Sequence, residues 1–395
     1  MIKRKQEILF AILKKLAEKK EEISNILKFC YKVNSMKIKS IRTWSENLEL
    51  TRPYSIAYET IDAVENVFVE VTLGNNLKGY GSGSPAEFIT GETIDSASSI
   101  LLNEANEILE NKNIEDVELI FKSLTNKWPN NPAARSAVDI ALYDALSKFK
   151  NLPLVDLLGR AHKSFYTSVT IGIKSIESAL EEAKEYIHEG FRILKVKTGS
   201  DVSFDIELIK KLREKVGKHI LIRVDANQGY DLEDLKFFFE RTSNDNVEFI
   251  EQPLHSDLDS KMDELPIEIR TVCAADESLH NPEDAKRLAV EPKKYGIYNI
   301  KLMKCGGINP SLKIASTAYS SGIDLMWGCM DESIISISAA LHAAMACKAT
   351  KYIDLDGSFD LAKDLVSGGF KVVDGKMSLN DYPGIGFKML SNKFN

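Results

Sequence analysis

Acidic residues end three successive β-like runs of the sequence at nearly constant spacing. Asp225, Glu251 and Asp276 are 26 and 25 residues apart, and Lys301 follows after another 25. One strand with its following helix has about this length, so the four groups should occupy equivalent positions of consecutive units. Three converging carboxylates repel one another unless a cation neutralises them, and oxygen ligands suit a hard ion. The spacing therefore predicts a Mg²⁺ site.

Two further lysines precede this series. Lys195 and Lys197 are two residues apart in a β-like run, so both side chains should point to one face of the strand. We expect a nearby lysine and a divalent cation to lower the pKa of each ammonium group, so that a neutral lysine acts as a base. A lysine of this run and Lys301 would then lie on opposite sides of the metal. One would remove a proton next to a substrate carboxylate, and the other would return a proton to the opposite face.

This chemistry predicts inversion at the carbon beside the carboxylate. The metal would hold that carboxylate and stabilise the ene-diolate that forms when the proton leaves. A single acidic residue after a strand is more often a helix cap than a ligand, but a helix cap does not explain three in register. A Schiff-base aldolase also uses a barrel lysine, yet it leaves the three acidic strand ends unexplained.

The elements that must position these groups alternate after about Arg160. Eight short β-branched runs alternate with helical stretches, and they begin at Thr167, Ile193, Ile220, Val247, Thr271, Ile297, Asp324 and Tyr352. This pattern predicts an α/β fold of the (β/α)₈ TIM-barrel type, in which catalytic groups lie at the carboxyl ends of the strands. We assign residues 161–357 to the barrel.

The segments on either side of the barrel differ from it. Residues 36–160 predict an α+β unit with a hairpin turn at Asn75–Asn76, and residues 358–395 contain no further βα unit. The first 35 residues carry a net charge of +5 and an amphipathic helical pattern, so residues 1–35 are expected to form a basic extension. The glycines of GYGSGSP, at 79–85, lack the lysine of a phosphate loop and predict backbone that approaches the barrel closely.

Composition narrows the classes of partner. The 395-residue chain has 44% hydrophobic residues, a net charge of −7 and five scattered cysteines. We expect a cytoplasmic protein with reduced thiols, a small-molecule substrate, no nucleic-acid partner and no membrane span. We also expect a homo-oligomer.

From Met36 onward the sequence resembles the enolase superfamily, in its muconate-lactonising subgroup. The motifs that carry the resemblance are KVKTG at 195–199, DANQGY at 225–230, EQP at 251–253, ADES at 275–278 and NIKLMKCGGI at 299–308. The resemblance implies a capping α+β domain, built from the N-terminal segment and the C-terminal tail, over the barrel mouth. It also implies that Asp225, Glu251 and Asp276 bind Mg²⁺, that Lys197 and Lys301 are the acid/base pair, and that Lys195 lies near the substrate carboxylate. Lys304 fits no role in this pattern and is expected to be a loop residue.

The eighth strand bears on the substrate. Asp354 and Asp356 alternate around Leu355, so two carboxylates should face the mouth and suit a cationic group such as the free ammonium of a dipeptide. This pair, and the loop GCMDES at 328–333, look like those of dipeptide epimerases. We expect substrate contacts from this loop and from two other strand ends, namely from Cys329, Met330, Glu332, Thr170 and Asn227.

The side chain of the second residue is predicted from the capping segment at 52–60. The alanyl-glutamate epimerases carry a basic residue where Glu59 aligns, and an acidic residue there would repel glutamate. We therefore expect a dipeptide whose second residue is not acidic, although Arg52 or Lys78 would supply a positive charge for L-Ala-D/L-Glu. N-succinylamino-acid racemisation, o-succinylbenzoate synthesis and cycloisomerisation are the alternatives within the subgroup. A non-catalytic scaffold barrel is the alternative outside it.

Overall fold

A computed structural model describes Lys19 and residues 36–55 and 60–390, with the side chains of 52–55, 60 and 61 left aside. The predicted extension at 1–35 lies outside the described residues apart from Lys19. Glu59 and the side chain of Arg52 also lie outside them.

An antiparallel sheet opens the described chain. It contains β1 (Ile38–Ser55), β2 (Thr60–Leu73) and β3 (Lys78–Gly83) in that order. The turn between β2 and β3 contains Asn76 with a φ of 64° and Asn75, whose side-chain oxygen accepts from the backbone N–H of Leu77 at 3.0 Å. The predicted hairpin is therefore confirmed.

Five helices follow this sheet, and the second and the fourth pack against it. They are α1 (Glu87–Thr90), α2 (Ile94–Leu109), α3 (Val117–Lys127), α4 (Pro132–Phe149) and α5 (Leu154–Leu158), with a 3₁₀ turn at Ile114–Asp116. Helix α4 packs directly on β3, because Gly79, Gly81 and Gly83 face its alanines with no room for a side chain. The glycines themselves meet α4, and the segment also approaches the barrel as predicted, since β3 contacts the barrel helix Ile334–Ala346 and Ser84 bonds to Asp331 and Met303.

Eight parallel strands follow a short strand β4 (Ser164–Tyr166), and each is joined to the next by helical segments. In chain order these elements are β5 (Val169–Ile171), α6 (Ile176–His188), β6 (Ile193–Lys197), α7 (Val202–Val216), β7 (Leu221–Asp225), α8 (Leu232–Thr242), β8 (Val247–Glu251), a 3₁₀ helix (Ser256–Glu264), α9 (Ile267–Arg270), β9 (Cys273–Ala275), α10 (Pro282–Leu288), β10 (Ile297–Ile300), α11 (Leu302–Cys305), α12 (Ile308–Ser321), β11 (Asp324–Trp327), α13 (Ile334–Ala346) and β12 (Thr350–Ile353). The sheet order runs from β5 to β12, and a bridge between Thr167 and Ile353 closes it. The predicted eight-stranded barrel is confirmed.

An apolar layer fills part of the barrel and sets the position of the polar groups. Phe249, Ala274, Ile297, Met326 and Tyr352 form a separate buried cluster with one member from each of β8–β12. Side chains two residues further along a strand point to the same side. The polar groups that follow these apolar residues by two or four positions, at 251, 276, 301 and 354, therefore stand above the layer at the carboxyl ends of the strands.

The last part of the chain forms short antiparallel strands: β13 (Val366–Gly368), β14 (Phe370–Val373), β15 (Lys376–Leu379) and β16 (Phe387–Met389). β15 lies between β14 and β4, and β13 pairs with β16. This segment also contacts the first sheet and its helices, because Leu361 bridges to Leu50 and the backbone N–H of Ile385 donates to Asp144 at 3.0 Å. In the part of the chain that the structure describes, no helix has the length and apolarity needed to cross a membrane.

The packing of β3 on α4 predicts a large difference between two glycine substitutions. In Gly81→Ala the new methyl group overlaps backbone atoms of Ala137 and Ala141, so we expect the free energy of unfolding to fall by about 1–3 kcal/mol. Gly172 has open space around it, so Gly172→Ala should change that energy by less than about 0.5 kcal/mol. Urea unfolding followed by circular dichroism measures both. Equal effects of the two substitutions would contradict the packing.

Candidate active site

Three buried carboxylates lie side by side at the carboxyl ends of neighbouring strands. Asp225 ends β7, Glu251 ends β8 and Asp276 directly follows β9, and these strands are adjacent in the sheet. Asp225 pairs in register with Glu251, and the three residues are 0–3% exposed. The structure therefore brings together the three acidic residues that the spacing singled out.

Burial and the neighbouring charges disfavour the ionised form of one carboxylate of the row. Burial and the charges of Asp225 and Asp276 raise the pKa of Glu251 to about 8, because Lys195 offsets them only in part. Burial also disfavours charged Asp225, but Lys195 and Lys197 outweigh it and lower the pKa of Asp225 to about 2. The lysines therefore neutralise the negative charge of the row only in part, and Glu251 bears the consequence as a raised pKa.

Lysine ammonium groups lie between and beside the carboxylates. The Nζ atom of Lys195 lies 3.0 Å from Asp225, 2.9 Å from Glu251 and 2.8 Å from Asp354. Lys197 donates to Asp225 at 2.7 Å and to the side-chain oxygen of Asn227 at 2.9 Å. The first lysine is buried, whereas the side chain of Lys197 is 29% exposed and reaches the open mouth.

A third lysine stands on the other side of the row. Lys301 follows β10, and its Nζ atom donates to Asp276 at 2.8 Å. Because β7, β8 and β9 lie between β6 and β10 in the sheet, the three carboxylates separate Lys197 from Lys301. Two amines thus flank one acidic centre.

The expected lowering of lysine pKa values requires a divalent cation beside them and stays a prediction, whereas the carboxylates themselves raise the pKa values of two lysines. Burial disfavours each ammonium group, but Asp225, Asp354 and Glu251 outweigh burial and raise the pKa of Lys195 well above its ordinary value. Asp276 and Glu251 do the same to the pKa of Lys301. The prediction counted the like charges and omitted the direct ion pairs that the lysines make with the carboxylates.

The donor set fits Mg²⁺ by chemistry. Among residues 36–55 and 60–390, no three Asp, Glu, His or Cys side chains surround one point as a formed metal cage, since ammonium groups stand between the carboxylates. Still, the buried Oε2 atom of Glu251 has no aligned hydrogen bond and meets Lys195 by charge alone. Buried carboxylate oxygens of this kind suit a hard divalent cation. The Oε2 atom and the raised pKa of Glu251 mark the place where positive charge is lacking.

The predicted aspartate pair also lies at this mouth. Asp354 accepts from Lys195 and, at 2.6 Å, from the hydroxyl group of Ser168. Asp356 accepts from the backbone N–H of Thr170 at 2.9 Å, so the backbone rather than the side chain of Thr170 makes this contact. Burial and the neighbouring Asp354 raise the pKa of Asp356 to about 7.

The loop after β11 packs beside this pair. The thiol of Cys329 lies 3.3 Å from the backbone oxygen of Asp354 and 3.9 Å from an oxygen of Asp356. The backbone N–H of Met330 donates to Glu332 at 2.9 Å, and burial raises the pKa of Glu332 to about 7. The structure therefore brings this loop to the mouth. Lys78, by contrast, begins β3, about 20 Å of strand before Ser84, and is paired with Glu70 at 2.9 Å.

Three residues at the site were missed by the sequence reasoning or assigned wrongly. Lys304 is not a loop residue: it lies in α11, is 3% exposed, and its ammonium group contacts Asp276. Asn299 donates to Glu251 at 2.6 Å, and Arg223 donates to Ser168 at 3.1 Å. Signals were present, because Asn299 and Arg223 precede site residues by two positions and Lys304 follows Lys301 by nearly one helical turn.

Two families match the chain over most of its length. Residues 38–159 match the N-terminal domain of mandelate racemase / muconate lactonizing enzyme, and residues 178–393 match the enolase C-terminal domain-like family. An L-Lys-D/L-Arg epimerase of Desulforapulum autotrophicum is 53% identical over 90% of this chain and all of its own length. An enzyme of the same name from Methylococcus capsulatus is 46% identical over 89% of this chain and 99% of its own.

A solved structure extends the comparison to three dimensions. The dipeptide epimerase from Methylococcus capsulatus, complexed with Mg and the dipeptide L-Arg-D-Lys, superposes with a TM-score of 0.87 at 46% identity. The match covers 89% of this chain and 99% of that chain.

The raised pKa of Glu251 predicts that Mg²⁺ binding depends on pH. The metal binds the ionised carboxylate, so below about pH 8 its binding must displace a proton, and the dissociation constant should fall as the pH rises from 6 to 8. Calorimetry of Mg²⁺ binding in buffers with different ionisation enthalpies measures the proton release. Glu251→Gln should weaken binding about tenfold or more and remove much of this pH dependence. A constant affinity between pH 6 and 8 would contradict the assignment.

Proposed function

The chain belongs to the enolase superfamily, in its mandelate racemase and muconate lactonizing enzyme family, and we propose that it is a Mg²⁺-dependent dipeptide epimerase for cationic dipeptides. The observation that carries the proposal is the position of Lys197 and Lys301 on opposite sides of the three buried carboxylates. A base on each side of the reacting carbon is what inversion of a stereocentre requires.

Proton transfer falls to the two flanking lysines. The lysine whose Nζ atom is neutral would take the α-proton of the C-terminal residue, and the ammonium group of the other would deliver its proton to the opposite face. Asp225, Glu251 and Asp276 would hold Mg²⁺, which supplies positive charge against the substrate carboxylate as negative charge builds up on it. We assign Lys195, buried at the centre of the acidic groups, to the same substrate carboxylate.

The aspartate pair argues for a free amino group in the substrate. Asp356 has a pKa raised by burial and by Asp354, and a cation beside it would keep it ionised. The α-ammonium group of a dipeptide supplies such a cation, whereas a succinylated amino acid does not. This favours a dipeptide over the N-succinylamino-acid and succinylbenzoate alternatives of the family.

The side chains of the dipeptide follow from charge and from the relatives. Two relatives at 53% and 46% identity are named L-Lys-D/L-Arg epimerase. The mouth of this chain contains Glu332 and Asp356, with Glu59 in the sequence segment at 52–60, whereas Lys78 is bound to Glu70 at the far end of β3. An L-Ala-D/L-Glu substrate would meet mainly negative charge here, so we propose a basic second residue.

Isotope exchange tests the two-base step. Incubation of L-Lys-L-Arg with the enzyme and Mg²⁺ in D₂O should place one deuterium at the α-carbon of the C-terminal residue, with inversion. Lys197→Ala and Lys301→Ala should each lower epimerisation by about 100-fold or more, because one base is lost. Each variant should still exchange the α-proton of one epimer, and the two variants should act on opposite epimers. Mass spectrometry and chiral chromatography measure these outcomes.

The surface lysine Lys351, paired with Asp324 at 3.0 Å, provides the control. Lys351→Ala should epimerise like the unmodified chain. Exchange of both epimers by each active-site variant would sink the two-base assignment. Failure of the unmodified enzyme to exchange any dipeptide in a broad library would sink the function itself.

Asp354→Asn tests the dipeptide assignment. Removal of one charge that faces the ammonium site should lower kcat/KM for L-Lys-L-Arg by about 10–100-fold, as expected for a hydrogen bond to a charged group. Asp324→Asn, far from the mouth, serves as the matched control. The unmodified enzyme could instead show no dipeptide activity, with Asp354→Asn retaining high activity on N-succinylamino acids. A racemase of the same family would then be the better assignment.

Other expectations rest on the sequence and stay predictions. They are the boundaries at 35/36, 160/161 and 357/358, the homo-oligomer and the cytoplasmic location. Sedimentation velocity on the purified chain measures the oligomeric state.

A further inference from the structure

Lys304 is a buried lysine at the site that the proposed reaction does not use. It lies in α11, immediately after Lys301, and its side chain is 1% exposed. Its Nζ atom contacts Oδ1 of Asp276, the backbone oxygen of Asp276 at 2.5 Å and the backbone oxygen of Asn299 at 3.3 Å. An ammonium group has three donors, so all three are engaged and none remains for a substrate.

The contacts of Lys304 divide the Asp276 carboxylate between two lysines. Lys304 meets Oδ1, and Lys301 meets Oδ2 at 2.8 Å. On the opposite side, the backbone N–H of Asp276 donates to the side-chain oxygen of Gln252 at 2.8 Å. Both the backbone and one carboxylate oxygen of Asp276 are therefore held in place, and Oδ2 alone is shared with a residue of the proposed acid/base pair.

Lys304 also supports Glu251 through Asn299. Lys304 contacts the backbone of Asn299, whose side chain donates to Glu251 at 2.6 Å. One ammonium group thus links the segment after β9 to strand β10, and through Asn299 it supports a second carboxylate of the row.

Stability alone is a weak reason for this arrangement. Burial of an ion pair often contributes no more than an apolar pair of similar size would. A fixed positive charge beside three carboxylates has a clearer use, because three negative charges exceed the two positive charges of Mg²⁺. Groups that hold metal ligands from behind typically change metal affinity or activity 10- to 100-fold when they are removed.

We propose that Lys304 is a positioning residue for Mg²⁺ binding: it fixes the orientation of Asp276 and balances the third negative charge of the ligand row. This rests on the proposed function, since it takes Asp276 as a metal ligand. Lys304 itself transfers no proton.

The experiment is calorimetric titration of the full-length chain with Mg²⁺ alone, without dipeptide. Lys304→Met keeps the length and removes the charge and the donors, so its dissociation constant for Mg²⁺ should rise about 10- to 100-fold. Lys304→Arg keeps the charge and should bind Mg²⁺ more tightly than Lys304→Met does. Lys351→Met removes a surface lysine that is also ion-paired and should leave the Mg²⁺ affinity unchanged.

Circular dichroism and the urea midpoint in the absence of Mg²⁺ show whether each variant is folded. If Lys304→Met does not fold, Lys304→Gln, which keeps polar donors in the buried site, takes its place with the same expected direction. A folded neutral variant with the affinity of the unmodified chain would overturn the proposal, and so would equal losses in the neutral variant and in Lys304→Arg.

Asp276→Asn separates this result from the fate of the proposed function. If Asp276→Asn loses Mg²⁺ binding while Lys304→Met keeps it, the ligand row stands and only the role of Lys304 fails. If Asp276→Asn binds Mg²⁺ as tightly as the unmodified chain, the metal assignment itself fails.

Discussion

Repulsion among three buried carboxylates is the constraint on which the rest of the site depends. Asp225, Glu251 and Asp276 stand on adjacent strands with almost no access to water, where like charges interact strongly. In this structure lysine ammonium groups neutralise part of the negative charge, and the raised pKa of Glu251 indicates that the neutralisation is incomplete. We expect Mg²⁺ bound to the same oxygens to take over the neutralisation, which would release the flanking lysines for the substrate.

The fold places these charged groups together through the two-residue repeat of its strands. Every second side chain of a barrel strand points inward, so the apolar cluster of Phe249 and its neighbours fills one layer and the charged groups form the layer above it. Arg223 lies between the two layers, with its guanidinium 5.3 Å from the Phe249 ring centre and 5.2 Å from that of Tyr352. It donates to Ser168, which in turn donates to Asp354. An apolar floor thus keeps water away and strengthens each ion pair above it.

Sequence reasoning reached the barrel and the acidic row because both are periodic. Polar residues at the ends of β-branched runs interrupt a regular pattern, and their spacing of one βα unit transfers directly to neighbouring strands. The partner of each charge is not periodic. Whether a lysine pairs with a carboxylate or stands alone depends on distances across strands, so the ion pairs of the lysines were not predicted and Lys304 was assigned to a loop. The glycines of β3 show the same limit: the sequence indicates a close approach, but only the packing shows that the neighbour is α4.

The two aspartates after β12 differ in how fully the enzyme pairs their charges. Asp354 is already bound by Lys195 and Ser168, and although burial opposes its charge, Lys195 lowers its pKa. Among the described residues, Asp356 has only a backbone N–H and a distant thiol near its carboxylate oxygens, and its pKa is raised to about 7. In the proposed function, an incoming ammonium group would therefore gain more from Asp356, while Asp354 would link that site to Lys195 in the acidic row. In the proposed function, the spacing of two residues would thus couple recognition of one end of the dipeptide to chemistry at the other.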